Sequence, residues 1–490
     1  MLERELKLAV GDAFDSSALS GRLGPWQLEL LESVALDAEY YDTTDFRLLR
    51  SGISLRFREG WMVKLAQPSD RPELLQRIEI PFDGPEGSIP AGVLDLTRSA
   101  ARSAPVLPVA RLSTARQTFA LRDDAGVDLA EIVFDEVESA AKGRAHVEFR
   151  ELEIELAEGA PVSVLGPVVA RLRQLGAGGV IAIPKLARAV GMSAVPEAVV
   201  PVWEPGAAPA VTEIVHGAIA RSVRRFLDHC PAVILDEDPE GVHQARVAIR
   251  RLRSDLRTFR RFLNRTWADQ LRTDLRALTD LLGSVRDLDV LKLRLALLLE
   301  DVPDPEREAA EAIIATLSAE RADAHQRVVE ALREDWFLSL LNRLVAAANA
   351  PHVTKLAGKP VDPTLLKLAR KPWRVLVAAV GQLPELPSPD ELHSVRILAK
   401  RTRYAAEALI PVVGANAELF AVRLSELQDV LGEHQDAVVA AAWLRRRHPS
   451  QALAAGELIG FEVARANRAA EGWRDVWESI NRHPMTSWMG

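Results

Sequence analysis

Cysteine and aromatic residues are scarce in this sequence. Of its 490 residues Cys230 alone is a cysteine, which excludes an intrachain disulfide and a zinc site built from several cysteines. There is no uncharged apolar run of about 18 residues, so no membrane-spanning helix is predicted. Glu3, Arg4 and Glu5 stand where a secretion signal needs an apolar stretch. We therefore expect a cytoplasmic protein in a reducing compartment, with no membrane association.

The composition is that of a globular protein, and the chain is too long for a single hydrophobic core. Residues 1–193 are mostly short segments in which apolar and polar residues alternate, which is typical of β-strands. Residues 194–211 contain four prolines and predict a linker, because proline interrupts regular helices. From 212 to 490 apolar residues recur three and four apart, as in amphipathic helices. The sequence thus predicts an α+β multidomain chain, with a strand domain followed by an all-α domain.

The helical half contains an internal repeat. In residues 243–253 and 393–403, a histidine is followed by basic residues at offsets of 3, 7, 8 and 10. Downstream of each copy, a Leu-Gly pair precedes an aspartate, in residues 282–287 and 431–436. Chance does not readily give two such matches, so we expect a multi-helix module that is used twice.

Each copy of the repeat predicts a strip of positive charge on one helix face. Offsets of 0, 3, 7 and 10 fall within an arc of roughly 80°. A charged helix face is most often simply solvated, but like charges at this spacing destabilise a helix, and here the pattern occurs twice. The strip therefore suggests a bound anion, although Glu407 stands where the first copy has Arg257 and shortens the second strip. The candidate anion-binding residues are His243, Arg246, Arg250, Arg251, Arg253, Arg257, His393, Arg396, Lys400, Arg401 and Arg403.

The two copies of His-x-x-Arg-x-x-x-(Arg/Lys)-Arg-x-Arg, each with Leu-Gly-x-x-(Arg/Gln)-Asp downstream, resemble the CHAD domain, the conserved histidine α-helical domain. The resemblance covers about residues 212–490. It implies two helical bundles related by pseudo-symmetry, which enclose a basic pore or groove that binds inorganic polyphosphate. Nucleic acid is the competing polyanion, but the strips lack the interleaved aromatic residues that stack on bases.

In the strand half, carboxylates and cations alternate with apolar residues. Glu3, Glu5 and Lys7 share one side of the first predicted strand, and the glutamates within 151–155 share one side of a later strand. Three like charges on one strand face are unfavourable unless a cation or facing bases offset them. A closed antiparallel barrel would direct these residues into a polar lumen, where acids and bases could bracket a metal ion and a triphosphate.

Five motifs stand in this half: Glu3-x-Glu5-x-Lys7, Tyr40-Tyr-Asp-Thr43, Leu48-x-x-x-Gly52-x-x-Leu-Arg-x-Arg58, Trp61-x-x-Lys64 and Glu151-Leu-Glu-Ile-Glu-Leu156. In content and order they resemble the motifs of the CYTH domain of the triphosphate tunnel metalloenzyme superfamily. The resemblance implies a closed antiparallel tunnel of eight strands that cleaves the terminal phosphate of a triphosphate with Mg²⁺ or Mn²⁺. It implies the catalytic residues Glu3, Glu5, Lys7, Asp135, Glu151 and Glu153, and the metal ligands Glu3, Glu5, Glu151, Glu153 and Glu155. It further implies the phosphate-binding residues Arg56, Arg58, Lys64, Arg77, Arg116, Lys185 and Arg188.

The two resemblances together predict a CYTH–CHAD protein with domains at 1–193 and 212–490. Its expected activity is the hydrolysis of inorganic triphosphate or short polyphosphate, with longer polyphosphate bound by the helices and a cytoplasmic location at polyphosphate granules. The alternative is a non-catalytic protein that binds or targets polyphosphate and has a silent tunnel. Nucleotide and thiamine triphosphates, a cyclase activity, the polyphosphate chain length and the oligomeric state stay open.

Overall fold

The chain forms two compact units, Met1–Val199 and Val200–Gly490. The division lies inside the linker predicted at 194–211, whose ends stay a prediction. The first unit is a ring of antiparallel strands and the second is helical, which confirms the predicted fold class. The computed structural model describes residues 2–11, 14–71, 73–141, 143–194, 196–204, 206, 209–360, 363–447 and 452–489.

Antiparallel strands dominate the first unit. Eight of them close into a ring in the order β1–β6–β5–β4–β3–β7–β8–β9, because β9 pairs back with β1. The two others add to the ring, β2 beside β3 and β10 beside β1. The strands are β1 (Leu2–Val10), β2 (Gly21–Leu23), β3 (Trp26–Asp42), β4 (Ile53–Phe57), β5 (Trp61–Gln67), β6 (Leu75–Phe82), β7 (Leu107–Arg122), β8 (Asp128–Ala140), β9 (Val147–Leu156) and β10 (Ala177–Val180).

The apolar core of this unit lies outside the ring. Side chains alternate along each strand, so Leu6 and Leu8 point outward and pack with Val168 and Leu172. The residues that alternate with them, Glu5 and Lys7, face the lumen. The ring is therefore apolar outside and polar inside, which leaves its lumen available for charged groups. The helices around it are α1 (Arg47–Arg50), α2 (Ala91–Ala101), α3 (Leu165–Gln174) and α4 (Lys185–Ala189).

Long amphipathic helices form the second unit around a large and a smaller apolar cluster. Among the described residues, no helix is long and apolar enough to cross a membrane. The helices are α5 (Val211–Leu235), α6 (Pro239–Thr258), α7 (Arg265–Ala296), α8 (Asp304–Arg333), α9 (Asp335–Asn349), α10 (Lys367–Gly381), α11 (Pro389–Glu407), α12 (Ile410–Val413), α13 (Ala415–Arg447), α14 (Ala452–Ile480) and α15 (His483–Thr486).

The sequence repeat corresponds to a repeat of helices. Helices α6 and α11 begin at Pro239 and Pro389, 150 positions apart, and both start with proline after a capping residue. Asp238 accepts a hydrogen bond from the backbone N–H of Glu240, and Ser388 accepts one from the backbone N–H of Glu391 as part of a capping box. The helices α5, α6 and α7 of the first copy thus correspond to α10, α11 and α13 of the second.

Candidate active site and anion-binding strip

A cavity of about 600 Å³ lies inside the strand ring, and nearly half of the residues that line it are charged. Its lining residues alternate along the strands, as the sequence predicted for a polar lumen. The predicted active-site residues that line it are Glu3, Glu5, Lys7, Arg56, Arg58, Lys64, Arg77, Arg116, Glu153, Glu155 and Lys185.

Strand register places acids beside bases within the ring. Lys7 of β1 lies opposite Glu153 of β9. On the other edge of β9, Glu151 lies opposite Asp135 of β8, which in turn lies opposite Arg116 of β7. Directly opposed side chains on one face of a sheet are near neighbours, so these pairings bring four strands' charges into contact.

Asp135, Glu151 and Glu153 form one carboxylate cluster, here called the Asp135 cluster, with oxygen atoms within 4.8 Å of one another. All three are buried. The ammonium group of Lys185 lies 2.5 Å from an Asp135 oxygen and 3.1 Å from a Glu151 oxygen. Arg188 donates a hydrogen bond to Glu151 at 2.7 Å. Protein cations therefore already offset the charge of this cluster.

The proton affinities agree with that arrangement. Burial alone would raise the pKa of Glu153, but Lys185, Lys7 and Arg116 hold it well below its ordinary value. Burial would likewise lower the pKa of Lys7, but Glu153, Glu5 and Glu151 raise it. Both groups are thus ionised in the folded protein, as a network of buried ion pairs requires.

Glu3, Glu5 and Glu155 form a second carboxylate cluster, here called the Glu155 cluster, again with oxygen atoms within 4.8 Å. Lys64 donates to Glu3 at 2.9 Å, and Arg77 pairs with Glu5. Glu155 has no ion-pair partner among the described residues. Burial, together with the charges of Glu153 and Glu3, raises the pKa of Glu155 to about 8. Carboxyl groups therefore outnumber the cations at this point of the lumen, and Glu155 is mostly protonated at neutral pH.

The Glu155 cluster fits a divalent cation. Carboxylate oxygens are the ligands that Mg²⁺ and Mn²⁺ prefer, and a cation here would replace the proton of Glu155 and stabilise its ionised form. The Asp135 cluster fits one less well, because Lys185, Arg188 and Lys7 already occupy its oxygen atoms. The five predicted metal ligands are thus divided between two clusters, with Glu151 and Glu153 in the one that protein cations fill.

The cation-rich part of the lumen contains Arg56, Arg58 and Arg116. Arg58 forms no ion pair among the described residues, and its burial together with Arg56 and Arg116 lowers its pKa below the ordinary value. Tyr40 lies opposite Arg56 in the register and hydrogen-bonds to it. Burial raises the pKa of the Tyr40 hydroxyl, but Arg56, Lys185 and Lys64 outweigh that effect and lower it. These groups form a site of positive potential for phosphate oxygens.

Three predicted residues support the cavity wall without lining it. Asp135 and Glu151 are fully buried, and Arg188 pairs with Glu151 and lies 4.0 Å from the ring centre of Phe149. Asp135 accepts two hydrogen bonds from Arg116, at 2.8 and 2.7 Å, which fix the plane of that guanidinium group. Through these contacts, the three residues orient the cations that line the cavity.

Among the residues that line the cavity, Tyr40 and Glu79 were not predicted as site residues from the sequence. Glu79 lies 2.5 Å from the ammonium group of Lys64. Its position two residues after Arg77 on β6 is a signal that could have identified it, since both must point to the same side. Tyr40 stands in one of the five motifs, but its pairing with Arg56 could not be predicted because it depends on strand register.

In the helical unit, α6 and α11 pack against each other and bring the two predicted strips together. We call the combined set the basic strip: His243, Arg246, Arg250 and Arg253 of α6 with His393, Arg396, Lys400 and Arg403 of α11.

Lys400 shows how closely the two copies of the repeat approach. Burial and the charges of Arg250, Arg396, Arg403 and Arg246 lower its pKa to about 7. Two of these arginines come from α6 and two from α11, so cations of both copies surround one partly buried lysine. Such mutual repulsion costs stability unless an anion offsets it.

The Leu-Gly pairs of the repeat provide space for this strip. A Cβ atom on Gly432 would lie 3.1 Å from the guanidinium group of Arg396, and one on Gly283 would lie 3.5 Å from that of Arg246. Glycine therefore lets each arginine lie flat on the following long helix. Arg246 also pairs with Asp287 at 3.1 Å, which explains the aspartate that follows the first pair.

The structure places Arg251 and Arg401 apart from the basic strip. An offset of 8 lies outside the arc of the other strip positions, at about 100° per residue. Arg251 pairs with Asp255 at 3.1 Å and with Glu407, while Arg401 lies in a separate cavity with Arg257. Glu407 thus partly neutralises the second copy, in the manner that the sequence suggested.

Comparisons with known proteins agree with both halves. Residues 1–176 match the CYTH domain, and residues 217–445 match the CHAD domain. The chain is 30% identical over 489 residues to the protein Rv2226 of Mycobacterium tuberculosis (strain ATCC 25618 / H37Rv), covering 94% of this chain and 91% of the relative.

Two solved structures are more distantly similar. PptA from Streptomyces chartreusis is 23% identical with a TM-score of 0.47, covering 55% of this chain and 99% of its own. The CHAD domain from the plant Ricinus communis is 22% identical with a TM-score of 0.46, covering 59% and 95%. Taken with the domain matches and the full-length relative, the ring and the helical repeat identify the chain as a member of the family in which a CYTH domain precedes a CHAD domain.

Proposed function

We propose that the strand ring is a metal-dependent hydrolase of inorganic triphosphate or short polyphosphate, and that the basic strip binds longer inorganic polyphosphate. Members of the CYTH family are triphosphatases or related enzymes and depend on a metal. The observation that supports this substrate class best is the division of one lumen into a cluster of excess carboxylates and a group of excess arginines. A metal–triphosphate complex has the matching division of charge.

In this proposal Glu3, Glu5 and Glu155 hold Mg²⁺ or Mn²⁺. When bound, the ion supplies positive charge to the phosphate oxygens and acidifies a bound water. Arg56, Arg58 and Tyr40 bind the phosphate oxygens, with further contacts from Lys64, Arg77, Arg116 and Lys185. These donors are fixed before the substrate arrives, so they stabilise the charge of the transferred phosphoryl group at little reorganisation cost.

Hydrolysis adds one water molecule across the terminal phosphoanhydride bond. The water oxygen bonds to the terminal phosphorus, the bond to the bridging oxygen breaks, and that oxygen leaves on diphosphate. The proton of the water passes to a lumen carboxylate. Asp135 and Glu151 act in this scheme as positioning residues, because they hold Arg116, Lys185 and Arg188 in place from behind the wall.

For the basic strip, the proposal rests on the cations gathered around Lys400. A flexible chain of phosphates carries regularly spaced charges that can contact Arg246, Arg250 and Arg396 together and release counterions. RNA and DNA also carry a negatively charged phosphate backbone, but none of the eight residues of the strip has an aromatic ring of Phe, Tyr or Trp on which bases stack.

The first test is the release of phosphate from tripolyphosphate, diphosphate and ATP, with Mg²⁺ and with Mn²⁺. We expect release from tripolyphosphate by the wild type and a loss of at least about 100-fold in the double variant Glu3→Gln, Glu5→Gln, since two ligands of the cation lose their charge. The matched control is Glu138→Gln, Glu148→Gln, which removes two exposed carboxylates from the outer side of β8 and β9 and should keep full activity.

The result also distinguishes the two functional hypotheses. If neither metal supports release while the protein still binds long polyphosphate, the tunnel is silent and the chain is a polyphosphate-binding protein. Preference for ATP over tripolyphosphate would assign a nucleotide substrate instead.

A further inference from the structure

The helical repeat creates two cavities at equivalent places in the two copies. The first, of about 470 Å³, lies between α5, α6, α11 and α13 and is here called the α5 cavity. The second, of about 290 Å³, lies between α10, α11 and α6 and is here called the α10 cavity. The charged residues of the α5 cavity are Arg221, Arg225, Arg251, Asp255, Arg403, Glu407 and Glu418, and those of the α10 cavity are Arg257, Lys367, Lys371 and Arg401.

Residue equivalence between the cavities follows from the 150-position shift between α6 and α11. Arg221 of the first corresponds to Lys371 of the second, and Arg251 to Arg401. The acids have no such counterpart. Glu407 takes the place that Arg257 has in the other cavity, and position 405, equivalent to Asp255, is alanine.

Two cations of the α5 cavity, Arg251 and Arg403, pair with carboxylates of the protein. Arg251 lies 3.1 Å from Asp255 and also pairs with Glu407. Arg403 lies 3.5 Å from Glu407. Asp255 is buried and accepts a further hydrogen bond from Ser222 at 3.4 Å. Carboxylates of the chain therefore already take the place that an anion would occupy.

The α10 cavity has no carboxylate among the described residues that line it. Arg257 and Arg401, from the two copies of the repeat, lie close enough to repel each other. Burial, Arg401 and Arg272 together lower the pKa of Arg257. Leu368 and Leu398 form part of the wall beside the four exposed cations. A small basic cavity with apolar walls attracts an anion of phosphate size.

The α10 cavity is also continuous with the basic strip. Arg257 lies one helical turn beyond Arg253 on α6, so it extends the strip toward Lys371. At the equivalent place on α11, one turn beyond Arg403, the strip meets Glu407. Positive charge thus extends beyond the strip in one direction and ends in the other.

We infer that the α10 cavity is an additional phosphate subsite, so that a polyphosphate chain bound on the basic strip continues into it and not into the α5 cavity. This inference rests on the proposed polyphosphate binding by the strip. It adds Lys367 and Lys371 to the ligands of the chain and makes the binding footprint one-sided, although the repeat is two-fold. Long chains reach the subsite, while chains short enough to end on the strip do not.

The test compares Lys371→Glu with Arg221→Glu in the full-length protein, with EDTA present to prevent hydrolysis. The two residues occupy equivalent, exposed positions and undergo the same change of charge. For long polyphosphate we expect Lys371→Glu to weaken binding about tenfold and to reduce the slope of log affinity against log salt by about 1, as for the loss of one phosphate contact. Arg221→Glu should change the affinity less than about twofold, because the α5 cavity takes no phosphate.

Further variants keep the outcomes distinct. Glu407→Arg installs in the α5 cavity the cation that the α10 cavity has, and should steepen the salt dependence.

Equal effects of Lys371→Glu and Arg221→Glu would overturn the inference, provided that Arg250→Glu in the strip still abolishes binding. Failure of the wild type to bind long polyphosphate would overturn the proposed function itself. Circular dichroism of each variant, with Lys371→Ala as a milder substitution, checks that the helices are intact.

Discussion

Lys400 carries the clearest signal of function at the scale of single residues. Its pKa of about 7, against an ordinary value near 10.5, results from burial among Arg250, Arg396, Arg403 and Arg246. Its folded pKa is depressed, so the folded state loses stability as pH falls from about 10.5 to about 7, and an anion that favours the charged form relieves this cost. We therefore expect the pKa of Lys400 to rise when the basic strip binds an anion.

We expect polyphosphate binding to take up a proton at Lys400. A bound polyanion raises the pKa of this lysine, so affinity should fall as pH rises from about 7 to 9, by up to about tenfold per pH unit. Lys400→Arg keeps its charge throughout this range and should give a flat profile. Titration calorimetry in buffers of different ionisation enthalpy measures the proton directly. Parallel pH profiles for the wild type and Lys400→Arg would show that Lys400 is not in contact with the chain.

At the scale of elements, two glycines of the long helices differ in what a side chain at their position would contact. Glycine inside a helix is less favourable than alanine by about 1 kcal/mol. A Cβ atom on Gly432 of α13 would lie 3.1 Å from the guanidinium group of Arg396, whereas one on Gly456 of α14 would meet nothing within 4 Å. Only the first of these has a reason that involves the basic strip.

Gly432→Ala should therefore stabilise the fold while weakening binding. We expect a gain of about 0.5–1 kcal/mol in the free energy of unfolding from helix propensity. The new methyl group forces Arg396 to move by a few tenths of an ångström, so polyphosphate affinity should drop about two- to threefold. The control Gly456→Ala should give the same gain with unchanged affinity. Thermal melts and binding isotherms of both variants measure the two effects. Equal affinities of the two variants would show that Gly432 has no role in positioning Arg396 for binding.

The strands and helices show which features of the two sites follow from local sequence and which depend on neighbouring elements. Period-two alternation predicted that Glu3, Glu5 and Lys7 face one lumen, and the structure has them there, because side-chain direction in a strand depends only on position. Alternation could not show that Asp135 and Glu151 are enclosed by cations, since that depends on which strands are neighbours. Helical spacing likewise predicted the strip but not the partners of Arg251, which come from another helix.

At the scale of the whole molecule, charge distribution matters more than net charge. The chain has a formal net charge of -8, yet 51 of its 61 basic residues are arginine, and those of the repeat are gathered on two helices. A polyanion responds to the local potential of the strip, within about a Debye length of 8–10 Å, and not to the sum over the chain. A negative protein can therefore bind a chain of phosphates at one place while repelling it elsewhere.

This distribution leads to a prediction about partner choice. In competition at matched salt, long polyphosphate should displace the protein from RNA, while RNA at equal phosphate concentration should displace polyphosphate poorly. The strip contacts only phosphates, and polyphosphate has more charge per unit length with no bases to accommodate. Arg250→Glu should abolish both interactions, whereas Arg327→Glu, an exposed substitution on α8, should affect neither. RNA that resists displacement would mean that the helices read nucleic acid, and that the negative charge elsewhere on the chain selects against the denser polyanion.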